Sequence, residues 1–343
     1  MIRFKNILLL IFFISVGDSV RGQSGGQSGA TQLLINPWAK SAGVGGANVS
    51  FGKGIESVYM NPAGITGTEK TDLLFSRTNW LQGSEIYINT FGVSQRLNDK
   101  TVLAFSVMSF NLGDIEITTV NNPEGGIGTY RPQFINGGLT YAKSFSNNIS
   151  GAISCKIISE GIHDVKAIGV GLDAGVKYVT GTKDKISIGL ALKNAGPNMR
   201  YSGDGLKMQL VFPNGNTQSG QVTGSSFTLP LLMNLGFGYR FDFSETHKLQ
   251  TGLAYSARMF LNDQTRLGLE YRFKNYLQVR LGLVYEEGII KMETRNSAIT
   301  GPSGGFSVEL PYGKNGQYFG FDYTYRDTNP FEGIHTFGAR IIL

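Results

Sequence analysis

Three histidines, one cysteine and a glycine-rich stretch are the residues of this 343-residue chain whose types could support chemistry, and none is spaced to do so. His163, His247 and His335 are far apart in sequence and lack the close spacing of zinc ligands. Cys155 has no second cysteine to pair with and lies too deep in the chain for a lipid anchor, so it reads as a small strand residue. The run Ala42-Gly43-Val44-Gly45-Gly46-Ala47 has the backbone freedom of a phosphate-binding loop. No strand-turn-helix unit surrounds it, however, and no Lys-Ser/Thr pair follows. No Ser-His-Asp arrangement is specified, and the abundant Ser and Asp read as lumen and turn residues. This reading assigns no catalytic, cofactor-binding or metal residue and predicts a protein that is not an enzyme.

The elements around these residues are predicted to be strands. The chain has 47 glycines, 22 phenylalanines and 15 tyrosines with only 16% charged residues. Glycine is a poor helix former, aromatics favour strands and the girdles of membrane barrels, and no collagen-like glycine period is present. Residues 1–22 read as a secretory signal, with Arg3 and Lys5 before an apolar core from Ile7 to Val16 and with Val20 and Gly22 suited to a cleavage site. Without that segment the formal charge of +6 falls to about +4, and with no basic run this excludes nucleic acid as a partner. Beyond it no stretch approaches the roughly 18 apolar residues of a transmembrane helix, so an exported chain either stays in water or crosses a membrane as strands.

Periodicity favours strands in a membrane. From residue 72 onward, large apolar residues alternate with glycine or polar ones. Leu267, Leu269, Tyr271 and Phe273 share one face, opposite Arg266, Gly268, Glu270 and Arg272. The pattern predicts strands at 72–80, 84–96, 101–112, 130–144, 149–160, 165–180, 185–196, 228–241, 247–258, 264–273, 277–286, 300–310, 318–326 and 333–343. Most are long enough to cross the hydrocarbon at a tilt, and an even count returns both ends to one side. Every second connection is brief (98–100, 146–148, 181–184, 242–246, 274–275 and 313–316), whereas 113–129, 197–227 and 287–299 are long. The short set is assigned to the periplasm and the long set to the exterior.

The predicted fold class is therefore all-β, a transmembrane antiparallel β-barrel of about 14 strands over residues 72–343. Its inward Arg240, Arg258, Arg272, Arg280, Arg326 and Arg340 are expected to pair with Glu270, Asp322 and neighbouring carboxylates. A last strand ending on Phe337, Ala339, Ile341 and Leu343 is expected to close against the first. Residues 23–71 read as a compact non-strand segment, with a short helix over Gly54–Tyr59 and a turn forced by Asn61-Pro62; the expected role is a plug in the lumen.

On Ala42–Ala47, Asn61-Pro62-Ala63-Gly64, Leu192-Lys193-Asn194-Ala195-Gly196-Pro197 followed by Tyr201, and Leu229-Pro230, the chain resembles the PorV/PorQ family of Bacteroidetes outer-membrane proteins. These are relatives of the FadL-type transporters, and the likeness spans essentially the whole mature chain. It departs from many members in carrying Lys53-Gly54 where an acidic pair often precedes the short helix. The resemblance implies an outer-membrane barrel of fourteen strands, in contact with lipid, with Gly43, Gly45, Gly46, Asn61, Pro62 and Gly64 as the plug motif. It also implies a non-enzymatic adaptor or shuttle of type IX secretion that binds the translocon and the C-terminal signal domains of cargo, without a cofactor. Tyr201, Met208, Phe212 and Phe227 of the long loop are the expected partner anchors. The alternative is a FadL-like channel for hydrophobic small molecules with the N-terminal segment as a hatch, against which the inward arginines argue.

Overall fold

The structure is a computed structural model that describes residues 28–343 apart from 214–215, 275, 296 and 313–316. The signal segment, Asn275 and the expected turn at 313–316 lie outside the described residues.

Fourteen long strands form one closed antiparallel barrel: β1 (Thr71–Trp80), β2 (Ile86–Asn98), β3 (Thr101–Asn111), β4 (Gln133–Ser144), β5 (Ile149–Ile162), β6 (Val165–Thr180), β7 (Ile186–Ala195), β8 (Leu232–Asp242), β9 (His247–Arg258), β10 (Gln264–Phe273), β11 (Leu277–Glu286), β12 (Ile299–Pro311), β13 (Tyr318–Thr328) and β14 (Ile334–Ile342). Closure is made where Asp72 of β1 faces Ile342 of β14, so no edge is left unpaired. The expected strand bounds hold to within a few residues. The largest difference is at β8, expected from 228 but starting at Leu232. Pro230 has no N–H to give a ladder, and its carbonyl instead accepts from Asn194 Nδ2 at 3.0 Å.

Two segments expected as loops carry ribbons of their own, because their backbone groups still need partners. Ile115–Glu116 pairs with Thr129–Tyr130, and Lys207–Val211 pairs with Thr217–Gln221. Met199–Gly203 extends the wall by pairing with β6.

The polarity of the barrel is inverted relative to a water-soluble core. Leu139, Ile153, Ile157 and Leu281 on the outer face are each about 60% exposed, whereas Ser76, Ser154, Gln278, Ser307 and Thr324 on the inner face are fully buried. An apolar band of this extent is stable against hydrocarbon and not against water. Leu281→Arg, near the middle of β11, is therefore expected to cost about 2–4 kcal/mol of stability in a bilayer. Urea unfolding in phospholipid vesicles measures it, and a neutral effect there would remove the membrane from this account.

Residues 29–70 fill the lumen. They hold short helical turns at Thr31–Leu34, Ala39–Gly43, Ile55–Val58 and Pro62–Gly67 and no strand. Trp38, Ile55, Val58, Ala63 and Ile65 pack on Leu74, Val102, Ala104, Ala142 and Ala152, the small apolar inner faces of β1 and β3–β5. The inner wall is thus apolar where this segment covers it and charged on the opposite side, so the polar alternation is clearest in the C-terminal half.

Candidate functional site

One glycine on each of six consecutive strands forms a belt against which the luminal segment lies: Gly175, Gly189, Gly236, Gly252, Gly268 and Gly282. Cross-strand register aligns Gly189 with Gly236, and Gly252 with Gly268 and then Gly282. A Cβ built at Gly282 would lie 2.2 Å from Gly45 N, one at Gly189 2.4 Å from Val49 O, and one at Gly175 2.9 Å from Pro62 Cδ. At Gly282 and Gly189 backbone meets backbone, which only glycine permits.

The plug motif is the other half of this fit. Gly45 and Gly46 take consecutive left-handed conformations, φ +62° and +74°. Gly43 leaves no room for a side chain beside Thr324 Oγ1, and Gly64 leaves none beside Ser57 and Gly52 O. Asn61 caps the Pro62–Gly67 turn by accepting from Ala63 N at 3.1 Å, while its amide donates to Val49 O and to Val176 O of the wall, both at 3.0 Å. Pro62 occupies the first helical position, where its missing N–H costs nothing. Further wall side chains bond this segment's carbonyls: Ser76 to Pro37 O (2.8 Å), Thr324 to Ala39 O (2.6 Å) and Asn234 to Met60 O (3.0 Å). The expected short helix is a single 3₁₀ turn, Ile55–Val58. Burial holds Lys40 below and Glu56 above their ordinary ranges, each partly restored by the other at 3.7 Å.

Above this segment, at the end bearing the long loops, lies a cavity of about 420 Å³. Leu33, Ile35, Met60, Trp80, Val284 and Ile289 are among its apolar walls. Three arginines reach it. Arg258 bonds Glu286 at 2.6 Å, and Arg266 bonds Gln264 at 2.6 Å. Arg326, only 7% exposed, sits 5.4 Å from the Trp80 ring centroid with Nε and Nη2 unbonded. The pairing expected of Arg326 with a carboxylate is therefore not made, because aspartate and glutamate lie elsewhere on the wall. Arg280 instead takes Glu270 (2.7 Å), and Arg340 takes Asp322 (2.7 Å) and Glu309 (2.9 Å). Arg272 lies 3.4 Å from Glu270 and Arg240 3.1 Å from Asp242.

A second cavity, about 450 Å³, lies at the short-turn end. The luminal segment separates the two: Ala42, Gly45, Gly46, Tyr59 and Met60 line the first, and Lys40, Val44, Asn48, Lys53 and Glu56 line the second.

The four loop aromatic and methionine residues divide into two pairs. Tyr201 and Phe227 lie with tilted rings, centroids 5.4 Å apart, and pack on Ala30, Leu33, Ile158, Ala167, Met199 and Leu229, so they fasten the loop to the luminal segment and the wall. Met208 and Phe212 are 48% and 43% exposed on the Lys207–Val211 ribbon and its turn. His247 and His335 each bond a tyrosine hydroxyl, at 2.6 and 2.8 Å, and His163 lies beside Tyr130. Gly301-Pro302-Ser303-Gly304-Gly305 has the letters of a nucleophile elbow, yet it lies within β12, where Ser303 donates to Gly43 O at 3.3 Å. The belt and the cavity were not anticipated from the sequence. The belt's signal was there as in-register glycines in strand interiors.

No family model matches the sequence, and no curated protein matches it. Solved structures do. The toluene transporter TbuX of Ralstonia pickettii aligns with TM-score 0.56 at 14% identity, covering 90% of this chain and 97% of that one. The toluene transporter TodX of Pseudomonas putida aligns at 0.55 and 10% identity, again over 90% and 97%. The monoaromatic hydrocarbon channel CymD aligns at 0.53 and 14% identity, with the same coverage. The chain thus has the fourteen-strand, closed-barrel fold of these hydrocarbon channels, shared over nearly their whole length.

Proposed function

We propose that the protein is an outer-membrane channel for hydrophobic small molecules, with the luminal segment as its barrier. The long loops face the exterior and the short turns the periplasm. The observation that carries this reading is the apolar cavity at the long-loop end, divided from a second cavity by the luminal segment. A mostly apolar cavity with a few convergent polar groups suits a small ligand. The inward arginines do not oppose the reading, since most are held by carboxylates in the wall. The hydrocarbon-channel fold adds weight.

Passage then requires the barrier to move. A Cβ at Gly338 would stand 3.4 Å from Ala39 Cβ, close to disulfide geometry. In a Cys155→Ser background, oxidised Ala39→Cys/Gly338→Cys is expected to block uptake of labelled toluene by host cells whose own outer membrane excludes it, and reduction is expected to restore it. Uptake no greater than in cells without the protein would sink the channel reading. Uptake undiminished by the cross-link would sink the moving barrier. Filling the cavity with Val284→Trp is expected to lower uptake about tenfold.

A second reading, the type IX adaptor, draws support from the PorV/PorQ resemblance and from the exposed Met208 and Phe212. Affinity purification from gently solubilised membranes tests it: a translocon or cargo protein should co-purify and be lost on Met208→Ser/Phe212→Ser.

A further inference from the structure

The cavity at the short-turn mouth has the opposite character to the apolar one, and passage of hydrocarbons gives it no role. Eight cationic side chains line it against three carboxylates. Two of those carboxylates are already engaged, Glu270 by Arg280 at 2.7 Å and Glu56 by Lys40 at 3.7 Å. The third, Asp184, is exposed on the turn between Lys183 and Lys185 and makes no ion pair among the described residues, while Arg240 and Lys185 share Asp242 outside the lining, at 3.1 and 3.6 Å. Among the described residues this leaves Lys53, Lys177, Lys183 and Lys248 with no carboxylate within 4 Å.

These four lysines come from four separate pieces of chain: the luminal segment, β6, the turn between β6 and β7, and β9. No local pattern gathers them; barrel closure does. Lys177 has one protein partner, the carbonyl of Gly52 at 3.1 Å. Burial and the neighbouring Arg272 and Arg240 hold Lys53 below the usual lysine range, so its charge is only partly compensated within the protein. Like charges facing one another across a half-enclosed space repel, and an anion between them removes that repulsion.

We propose that this mouth is a binding site for a multivalent phosphate-type oxyanion. One carboxylate cannot match four dispersed ammonium groups, whereas phosphate oxygens can accept from several at once. The site is independent of the apolar cavity and does not rest on the channel reading. The group has two sources, a soluble phosphorylated compound or the headgroup of a phospholipid in the surrounding leaflet.

The test titrates the intact, detergent-purified barrel with inorganic pyrophosphate by calorimetry at fixed ionic strength. Saturable binding is expected, weakened at least about tenfold in Lys177→Gln/Lys248→Gln and also in Lys183→Gln/Lys248→Gln, the second pair altering only exposed side chains. Heat-modifiable gel mobility confirms that both variants are folded, and their toluene uptake should equal that of the wild type. No saturable binding, or equal affinity in wild type and variants, overturns the proposal. A second arm separates the sources. In nanodiscs containing phosphatidylglycerol, a headgroup occupant lowers the apparent pyrophosphate affinity relative to phosphatidylcholine nanodiscs, whereas a soluble occupant leaves it unchanged; both results keep the oxyanion site.

Discussion

Gly282→Val is expected to unseat the luminal segment and turn a closed barrel into an open one. A Cβ at this position meets the backbone N of Gly45 at 2.2 Å and the carbonyl carbon of Val44 at 2.4 Å. Inserting methyl groups into a core that can relax costs about 1–3 kcal/mol, through displaced side chains. Here the obstacle is main chain held by a row of wall-to-carbonyl bonds, so the strain is relieved by departure of the stretch 40–48. In planar bilayers the variant should show large, steady conductance steps that the wild type lacks. Gly304→Ala is the control, since its Cβ would find only ordinary contacts at 3.6 and 3.7 Å. Wild-type conductance in Gly282→Val would mean that the belt does not hold the barrier.

Arg340→Met is expected to give the largest loss of stability among single substitutions of the wall. Its guanidinium bonds Asp322 through Nε at 2.7 Å and Glu309 through Nη2 at 2.9 Å, and the two carboxylates are 1% and 4% exposed. Removing the cation leaves two buried charges without a cationic partner, Glu309 keeping only Gln278 and Asp322 only Ser307, at a cost of about 3–5 kcal/mol. The triple variant Arg340→Met/Asp322→Leu/Glu309→Leu should recover most of that loss, because the desolvation cost disappears with the charges. Unfolding midpoints of single and triple variants in the same vesicles check this. A triple variant as weak as the single one would show that the arginine acts through packing with Tyr318, over whose ring it lies at 5.6 Å, and not through charge.

Most of the barrel was legible in the sequence, because two solvents impose a two-residue period, and here that period runs through strands of nine to sixteen residues. Leu267 to Phe273 and Arg266 to Arg272 fall on the faces their alternation predicts. The three long connections all fall at one end of the barrel, as expected, although others at that end, such as 163–164, are as short as those at the opposite end. Where another surface replaced water as the inner solvent, the signal faded: Ala104, Ala142 and Ala152 face the lumen as apolar residues because Ile65 and its neighbours cover them. Loop residues were harder still. Tyr201 and Phe227 look like Met208 and Phe212 in sequence, yet only the latter pair is exposed, since exposure depends on what the loop folds against.

By itself the sequence determined the strand number, the faces of the strands and the non-strand character of residues 29–70, all of which follow from local periodicity, proline and glycine. The tertiary structure alone decided the rest. Closure of the ring set six glycines from separate strands against the luminal segment between Val44 and Pro62, left Arg326 without a carboxylate among the described residues, and placed an apolar cavity above that segment and a basic one below it. Each of these depends on residues tens to hundreds of positions apart whose meeting is fixed by register and curvature, quantities that no local pattern encodes.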